Sequence, residues 1–212
     1  MKETEQIKFW DGSFGKEYTT RNTFSVEEMD AMYKKLWGVN KQSINELFLG
    51  NLNRDIRILE AGCNVGQQLR HLELMGFKNL FGVDIQKEPV TKANLISPHI
   101  KAVQGSLLEM PFEDKAFDLV FTHTVLIHIH PQDLDTAMKE IYRTSKRYIW
   151  GIEYYSDGLE EVVYRGHSGV LWKTGFAKLF QDKFPGLKLV KDFRIKYLEN
   201  DNVDQIYLLE KC

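Results

Sequence analysis

An apolar strand that runs into glycines bracketing a small polar residue, with acids before and beyond them, can cradle a small cationic ligand. Residues 58–66, Ile58-Leu59-Glu60-Ala61-Gly62-Cys63-Asn64-Val65-Gly66, have that form. Gly62 and Gly66 let the backbone turn tightly and approach a ligand with no Cβ in the way. Asn64 tolerates the left-handed region better than other non-glycine residues and can replace a third glycine. Glu60 lies two residues before the first glycine, where a cationic amino-acid group is welcome. Asp84 sits eighteen residues past Gly66, at the end of a second apolar run, Phe81-Gly82-Val83-Asp84. A carboxylate there can accept two hydrogen bonds from ribose hydroxyls. A dinucleotide-binding loop uses related geometry, but it needs G-x-G-x-x-G facing a pyrophosphate. The pattern here is Glu-x-Gly-x-Asn-x-Gly. S-adenosylmethionine (SAM) has no phosphate and carries an ammonium and a sulfonium, so the acidic loop favours it over NAD. An NAD oxidoreductase is the weaker alternative, and a module that holds SAM or a nucleotide without catalysis is another.

Methyl transfer from a sulfonium is an in-line displacement of an activated group. It chiefly needs alignment, with water excluded. A hydroxyl or ammonium acceptor also needs a base, and a near-neutral histidine suits that work. His123, His128 and His167 are the candidates, with His130 close by. His128 sits among Val125, Leu126, Ile127 and Ile129, where a packing role is equally open. Their spacing matches no metal-ligand pattern and no cysteine joins them, so no metal is expected. His71 and His99 read as surface residues.

These groups need a scaffold that delivers them to one edge. Apolar strands are expected at 56–61, 80–84, 101–104, 117–122 and 147–153. Helices are expected between them at 65–76, 88–97 and 131–145. This alternation predicts an α/β fold, a Rossmann-like, mostly parallel seven-stranded sheet with helices on both faces. Such sheets bind ligands outside the carboxyl ends of their strands. A helix at 173–184 and strands at 188–194 and 204–209 follow, joined by Glu199-Asn200-Asp201-Asn202, which suits a turn. They predict a C-terminal antiparallel strand pair.

Ahead of the first strand, Ser25 and Glu28 form a capping box, Gly38 stops a helix, and 41–49 reads as a second helix. Segment 9–22 mixes aromatics with Gly12 and Gly15 and has no clean period. It reads as a lid. The chain divides into a lid with packed helices (1–55) and a core (56–212) carrying an acceptor loop at about 154–173, all in one structural domain.

The composition allows this. The chain has 212 residues, 43% apolar and 27% charged, with net charge −2. No block of like charge marks a nucleic-acid or membrane surface, so the expected partner is a small acceptor, with no nucleic acid and no membrane. The polar start Met1-Lys2-Glu3-Thr4-Glu5-Gln6 is unlike a signal peptide. No apolar run reaches the roughly 18 residues of a membrane span. Cys63 and Cys212 make no disulfide framework, and a cytoplasmic location is expected.

The ordered motifs continue past Asp84. Gln104-Gly105-Ser106-Leu107-Leu108-Glu109-Met110-Pro111-Phe112, then Phe117-Asp118-Leu119-Val120-Phe121, then Val125-Leu126-Ile127-His128-Ile129 follow in turn. Over about 56–150 the series resembles the class I SAM-dependent methyltransferase superfamily. The resemblance implies SAM as cofactor and S-adenosylhomocysteine as product. It places Glu60, Gly62 and Gly66 on the methionine side, Asp84 at the ribose and Ser106 and Leu107 beside the adenine, with Cys63, Asn64 and Ile85 also at the cofactor. Many members carry an acid where Ser106 stands, so a hydroxyl or a backbone group takes that place here. His123, at the end of the fourth strand, counts both as a cofactor neighbour and as a catalytic candidate.

The chain ends narrow the resemblance. Phe9-Trp10-Asp11-Gly12-Ser13-Phe14-Gly15-Lys16-Glu17-Tyr18-Thr19-Thr20-Arg21-Asn22 is distinctive, as are Glu153-Tyr154-Tyr155, Tyr164-Arg165-Gly166-His167 and Leu171-Trp172-Lys173. With the loop 62–66 they look like the methylases associated with pseudaminic acid biosynthesis. That implies a nonulosonic acid or a nucleotide-linked sugar as acceptor, in surface-glycan formation. Another carboxylated or phosphorylated metabolite is the alternative. Tyr18 and Arg21 are expected to reach SAM, Arg21 as partner of its carboxylate. Trp10, Phe14, Tyr154, Tyr155, Tyr164, Arg165, His167 and Lys173 are expected around the acceptor, Arg165 first among them for an anionic group. A monomer or homodimer is expected.

Overall fold

The computed structural model describes residues 4–212. The polar first three residues, and with them part of the expectation about a signal peptide, lie outside the described residues. Five parallel strands form the centre of the sheet: β1 (Arg57–Ala61), β2 (Asn79–Asp84), β3 (Ile100–Gln104), β4 (Phe117–His123) and β5 (Ser145–Tyr154). A two-residue hairpin, β6 (Glu160–Glu161) and β7 (Trp172–Lys173), lies within the expected acceptor loop. The chain ends with β8 (Leu187–Lys196) and β9 (Val203–Lys211). The seven-stranded order is β3-β2-β1-β4-β5-β9-β8. Strand β9 runs antiparallel to both β5 and β8. The expected C-terminal antiparallel pair is therefore present, inserted beside β5.

Eight α-helices surround the sheet among the described residues. They are α1 (Glu5–Asp11), α2 (Ser13–Arg21), α3 (Val26–Trp37), α4 (Lys41–Leu49), α5 (Gln67–Leu74), α6 (Lys87–Ile96), α7 (Pro131–Thr144) and α8 (Phe176–Lys183). None is long and apolar enough to cross a membrane. The two sheet faces carry separate apolar cores. Ile58, Leu119, Phe121, Trp150, Ile152, Ile206 and Leu208 pack against Met29 of α3, Ile44 and Phe48 of α4 and Leu69 of α5. Leu59, Val120, Ile149, Tyr207 and Leu209 face Ala137 and Met138 of α7 and Phe176 and Phe180 of α8. Strand periodicity then fixes the polar residues at the carboxyl ends. Glu60 follows Ile58, His123 follows Phe121, and Asp204 precedes Ile206. All three lie on the α3–α4–α5 face.

The segment with no clean period is helical. Thr4 caps α1 by accepting the Ile7 N–H at 3.2 Å, and Gly12, in an extended conformation, separates α1 from α2. These are helices of seven and nine residues, too short for a period to show, and their aromatics pack on both sides. The helix expected over 65–76 is shorter than that, because Asn64 (φ 44°) and Gly66 (φ 78°) are left-handed and start it only at Gln67. His71 corrects a further expectation. It is fully buried, with Nδ1 3.1 Å from the Gln67 carbonyl and Nε2 3.5 Å from Asp30 Oδ1.

Candidate active site

The β1–α5 loop is built as its residue types demand. Gly62 has φ 83°, and a Cβ there would lie 2.6 Å from a Val125 methyl. Gly66 has φ 78° and packs against Ala93 of α6. The Gly62 and Cys63 N–H groups both donate to the Val83 carbonyl, at 2.8 and 3.0 Å, which ties the loop to β2. Asn64 Oδ1 accepts the Val65 N–H, and the Asn64 N–H donates to Asp84 Oδ2 at 2.8 Å. Asp84 Oδ1 accepts the Gln86 N–H at 2.9 Å. Burial raises the Asp84 carboxyl, and these two N–H groups draw it back down. Each oxygen keeps one lone pair for a diol.

A cavity opens above this loop. Its wall includes Glu60, Gly62, Cys63, Asn64, Asp84, Ile85, Ser106, Leu107, His123 and His128, and the N-terminal helices close it with Trp10, Gly15 and Tyr18. Ten of the twelve β-sheet and loop residues expected at cofactor or base therefore line it, and Gly66 and His167 lie off the wall. The Ser106 hydroxyl accepts the Leu108 N–H at 3.1 Å and so holds its own turn.

Glu60 is 3% exposed, and its Oε2 has no hydrogen-bond partner among the described residues. Burial pushes this carboxyl well above the ordinary range, Lys41 pulls it down, and Asp84 pushes it up. An orphaned acidic oxygen on a cavity wall fits a cationic group.

The histidines divide. His123 Nε2 is 2.9 Å from the Tyr33 hydroxyl, and burial, helped by Lys41 and His71, drives it well below its usual value. His128 Nδ1 is 2.8 Å from the Val170 carbonyl, so that nitrogen is the N–H donor. Its Nε2 is then an acceptor, and burial lowers the ring to about 4. Both imidazoles are neutral at pH 7. The turn that carries His128 is held by Glu153, which accepts the Val125, Leu126 and Ile127 N–H groups. His130 caps α7 by accepting the Gln132 N–H and also lines the cavity. No group of three or more His, Cys, Asp or Glu among the described residues could hold a metal ion.

The lid is an aromatic cluster latched to the core. Trp10 packs on His128 with centroids 4.3 Å apart and edge-on to Phe14 and Tyr18. Phe9 and Phe14 each meet His167 at 5.1 Å, and Phe14 meets Tyr164 at 6.0 Å. The expected acceptor residues Phe14, Tyr164 and His167 thus sit behind Trp10, outside the cavity wall. Thr19 Oγ1 donates to Gln86 Oε1 at 3.1 Å and accepts from Asn64 Nδ2 at 2.9 Å. Gln86 Nε2 also bonds the Trp10 carbonyl, and this close approach leaves no room for a Cβ at Gly15. Arg21 reaches Glu17 and lies over Phe14, off the cavity wall, while its Nε and Nη2 have no hydrogen-bond partner among the described residues.

Four more expected acceptor residues lie farther out. Lys173 Nζ lies over the Tyr154 ring at 5.6 Å. Tyr155 bonds Asp157 and is covered by Arg194 at 3.8 Å. Arg165 is exposed, in the left-handed region (φ 50°), beside Tyr164. Residues the sequence left unmarked supply much of the site: Tyr33, Met29, Met32, Gln67, Gln68, Thr124 and Gln86 all line it. Tyr33 and Met29 read only as an apolar helix face, and nothing local distinguishes that face from ordinary core.

With this arrangement in view, comparison with known proteins is informative. Residues 59–148 match the methyltransferase domain family. The match runs from within β1 to the start of β5 and carries the loop, Asp84 and the three cavity histidines, His123, His128 and His130. A sterol 24-C-methyltransferase of Gibberella zeae is 29% identical over 97 residues, 43% of this chain and 25% of that protein. The chain spans about a quarter of the length of that relative. Among solved structures, a SAM-dependent methyltransferase from Anabaena variabilis superposes with a TM-score of 0.69 at 11% identity, covering 99% of this chain and 96% of that one. The 1,6-didemethyltoxoflavin-N1-methyltransferase of Burkholderia thailandensis, solved with bound 1,6-didemethyltoxoflavin and S-adenosylhomocysteine, gives a TM-score of 0.65 at 16% identity, covering 80% of this chain and 76% of that one. The fold is that of the class I methyltransferases.

Proposed function

We propose that this chain is a SAM-dependent methyltransferase acting on an oxygen or nitrogen of a small-molecule acceptor. The observation that carries the reading is Glu60 Oε2, a buried, partnerless carboxylate oxygen on the wall of a cavity that Asp84 also lines. SAM, when bound, supplies a methyl group already activated by its sulfonium and leaves as S-adenosylhomocysteine. Glu60 holds the ammonium and Asp84 the ribose diol. Gly62, Cys63 and Asn64 bring backbone close to the methionine part, and Ile85, Ser106 and Leu107 bracket the adenine. Trp10 and Tyr18 cover the ligand and exclude water. Arg21, with two donors free, turns to the cofactor carboxylate.

His128 takes the acceptor proton on Nε2, because the Val170 carbonyl fixes its other nitrogen as the donor. His123, bonded to Tyr33, orders the other side of the same end. The segment 154–173 contributes the acceptor loop of the core 56–212, closed by the lid 1–55. Arg165 receives an anionic group there, with Tyr154, Tyr155, Tyr164, His167 and Lys173 around it and Phe14 behind. The end-segment resemblance favours a nonulosonic acid of the pseudaminic type, or its nucleotide-linked form, as acceptor. The two free cysteines suit a reducing cytoplasm.

Calorimetry with S-adenosylhomocysteine tests the cofactor assignment. Asp84→Ala removes an acceptor of two charge-assisted hydrogen bonds. The expected loss is about 3 kcal/mol, roughly a hundredfold in affinity. Arg165→Ala is expected to leave that affinity unchanged. Equal losses in both variants, or binding of NAD in place of S-adenosylhomocysteine, would sink the assignment.

A further inference from the structure

The most unusual group in the molecule lies beneath the cavity. Lys41, on the first turn of α4, is 0% exposed. Its Nζ donates to Asn45 Oδ1 at 3.0 Å and lies 5.1 Å from the Trp150 ring and 5.9 Å from the Tyr33 ring. It makes no ion pair among the described residues. An ammonium with one hydrogen bond in an apolar setting costs the fold stability, and a methionine stem would fill the same space. Packing therefore does not explain it.

Its surroundings do. Of the charges that favour its protonated form, Glu60 on β1 acts most strongly, then Asp204 on β9, then Asp30 on α3. His123 on β4 and His71 on α5 face it as neutral imidazoles, each lowered by burial and further by the Lys41 charge. Glu60 in turn faces Lys41, Asp84 on β2 and the Leu69 N–H of α5. Asp204 is held on Oδ2 by the Trp37 indole and the Tyr197 hydroxyl, both at 2.9 Å, and its Oδ1 has no partner among the described residues. Tyr33 and Tyr154 complete the ring of titratable groups on that side. Strand alternation sets Glu60, His123 and Asp204 on this one sheet face. Glu60 pairs with Phe121 of β4 and Phe121 with Trp150 of β5, so the Trp150 ring beside Lys41 Nζ stands in the same row as Glu60, and the Tyr33 ring beside Nζ carries the hydroxyl bonded to His123.

We propose that Lys41 is a positioning residue for the cofactor, which holds Glu60 as a carboxylate from beneath the loop and so keeps Glu60 ready to receive an ammonium group. This rests on the reading of the cavity as a SAM site. A carboxyl as buried as Glu60 takes a proton unless a cation stands by it. A protonated Glu60 must lose that proton before it can bind an ammonium, and affinity then falls as pH falls. With Lys41 carrying the proton instead, the carboxylate is preformed. Burial brings Lys41 down to about 7, and the Lys41 charge draws the Glu60 carboxyl down against its own burial.

The test uses two ligands. S-adenosylhomocysteine has the ammonium; 5′-methylthioadenosine has the same nucleoside and thioether without the amino-acid end. Binding of each is titrated between pH 5.5 and 8 in wild type, Lys41→Met and Lys41→Gln. The second variant keeps a polar end toward Asn45 should the first fail to fold. The expected wild-type profile for S-adenosylhomocysteine is nearly level. In either variant it falls about tenfold per pH unit toward acid, the slope of one linked proton, while methylthioadenosine binds at wild-type strength at every pH. Identical pH profiles in wild type and variants, or an equal loss of both ligands, would overturn the role of Lys41. Failure of both ligands to bind wild type would instead overturn the cofactor reading.

Discussion

At the scale of single residues, the cofactor loop is determined by what each position excludes. Gly62 combines a left-handed backbone with a Val125 side chain packed where a Cβ would go. A Gly62→Ala substitution therefore meets two penalties. The left-handed conformation costs a non-glycine residue about 1–2 kcal/mol. The contact at 2.6 Å forces Val125 to move, and Val125 belongs to the turn that Glu153 holds and that carries His128. The expected outcome is a lower melting temperature together with weaker S-adenosylhomocysteine binding, read by thermal unfolding with and without ligand. A variant that melts like wild type would show that the Val125 contact yields freely. Gly62, Gly66, Asn64 and Asp84 were legible in the sequence because their roles depend on backbone conformation and on a fixed interval along one strand–loop–helix unit. Lys41, Tyr33 and Gln86 were not, because their roles depend on where α3, α4 and α2 pack. Lys41 opens an ordinary amphipathic helix, and only the tertiary arrangement puts it under Glu60.

At the scale of elements, a helical N-terminal segment was expected, but the bounds of its first two helices were not legible. Helices α1 and α2 bury little on their own, and no residue of α1 is buried. Helices this short have little intrinsic stability in water. What holds them is the aromatic contact with His128, Tyr164 and His167 and the polar latch through Thr19. The Thr19 hydroxyl is shared between Asn64 of the cofactor loop and Gln86 beyond Asp84, so one side chain joins lid, loop and strand β2. Thr19→Val keeps the shape and removes both bonds. It leaves Gln86 Oε1 and Asn64 Nδ2 each one bond short, a cost of about 1–3 kcal/mol for each buried polar group. Faster amide exchange across residues 5–21 is expected in this variant, along with faster release of S-adenosylhomocysteine and little change in exchange over β4 and β5. Uniformly faster exchange through the sheet would mean that Thr19 supports the whole fold and has no particular part in the lid. The parallel sheet itself was the most legible element, since its strands are continuous apolar runs between helices. The β6–β7 hairpin was not legible, because two-residue strands leave no periodicity.

At the scale of the whole molecule, the buried charges set how stability responds to pH, and the Lys41–Glu60 pair does so in a way that separates its members. In the unfolded chain, between pH 7 and 9, a lysine (about 10.4) is protonated and a glutamate (about 4.3) is ionised, so the two hold one proton. In the fold, burial lowers Lys41 to about 7 and raises Glu60 well above its ordinary value. Between its two titrations the pair again holds one proton, whichever member carries it. There the proton counts match in the two states, and the pair gives no slope of stability with pH. Each single substitution exposes the other member. In Glu60→Gln, the unfolded state binds a proton that folded Lys41 does not, so stability rises from pH 7 toward 9. In Lys41→Met, the folded state keeps a proton on Glu60 that the unfolded state has lost, so stability falls as pH rises through the Glu60 value. Each slope is at most about 1.4 kcal/mol per pH unit. Asp204 and Glu153, both raised by burial to about 7, contribute mainly below this window, and Lys211, lowered by burial to about 8, adds the same rise to every variant. Urea unfolding at pH 7, 8 and 9 is therefore expected to give trends of opposite sign for the two variants relative to wild type. Parallel trends would mean that Lys41 and Glu60 titrate independently and are not one charge system.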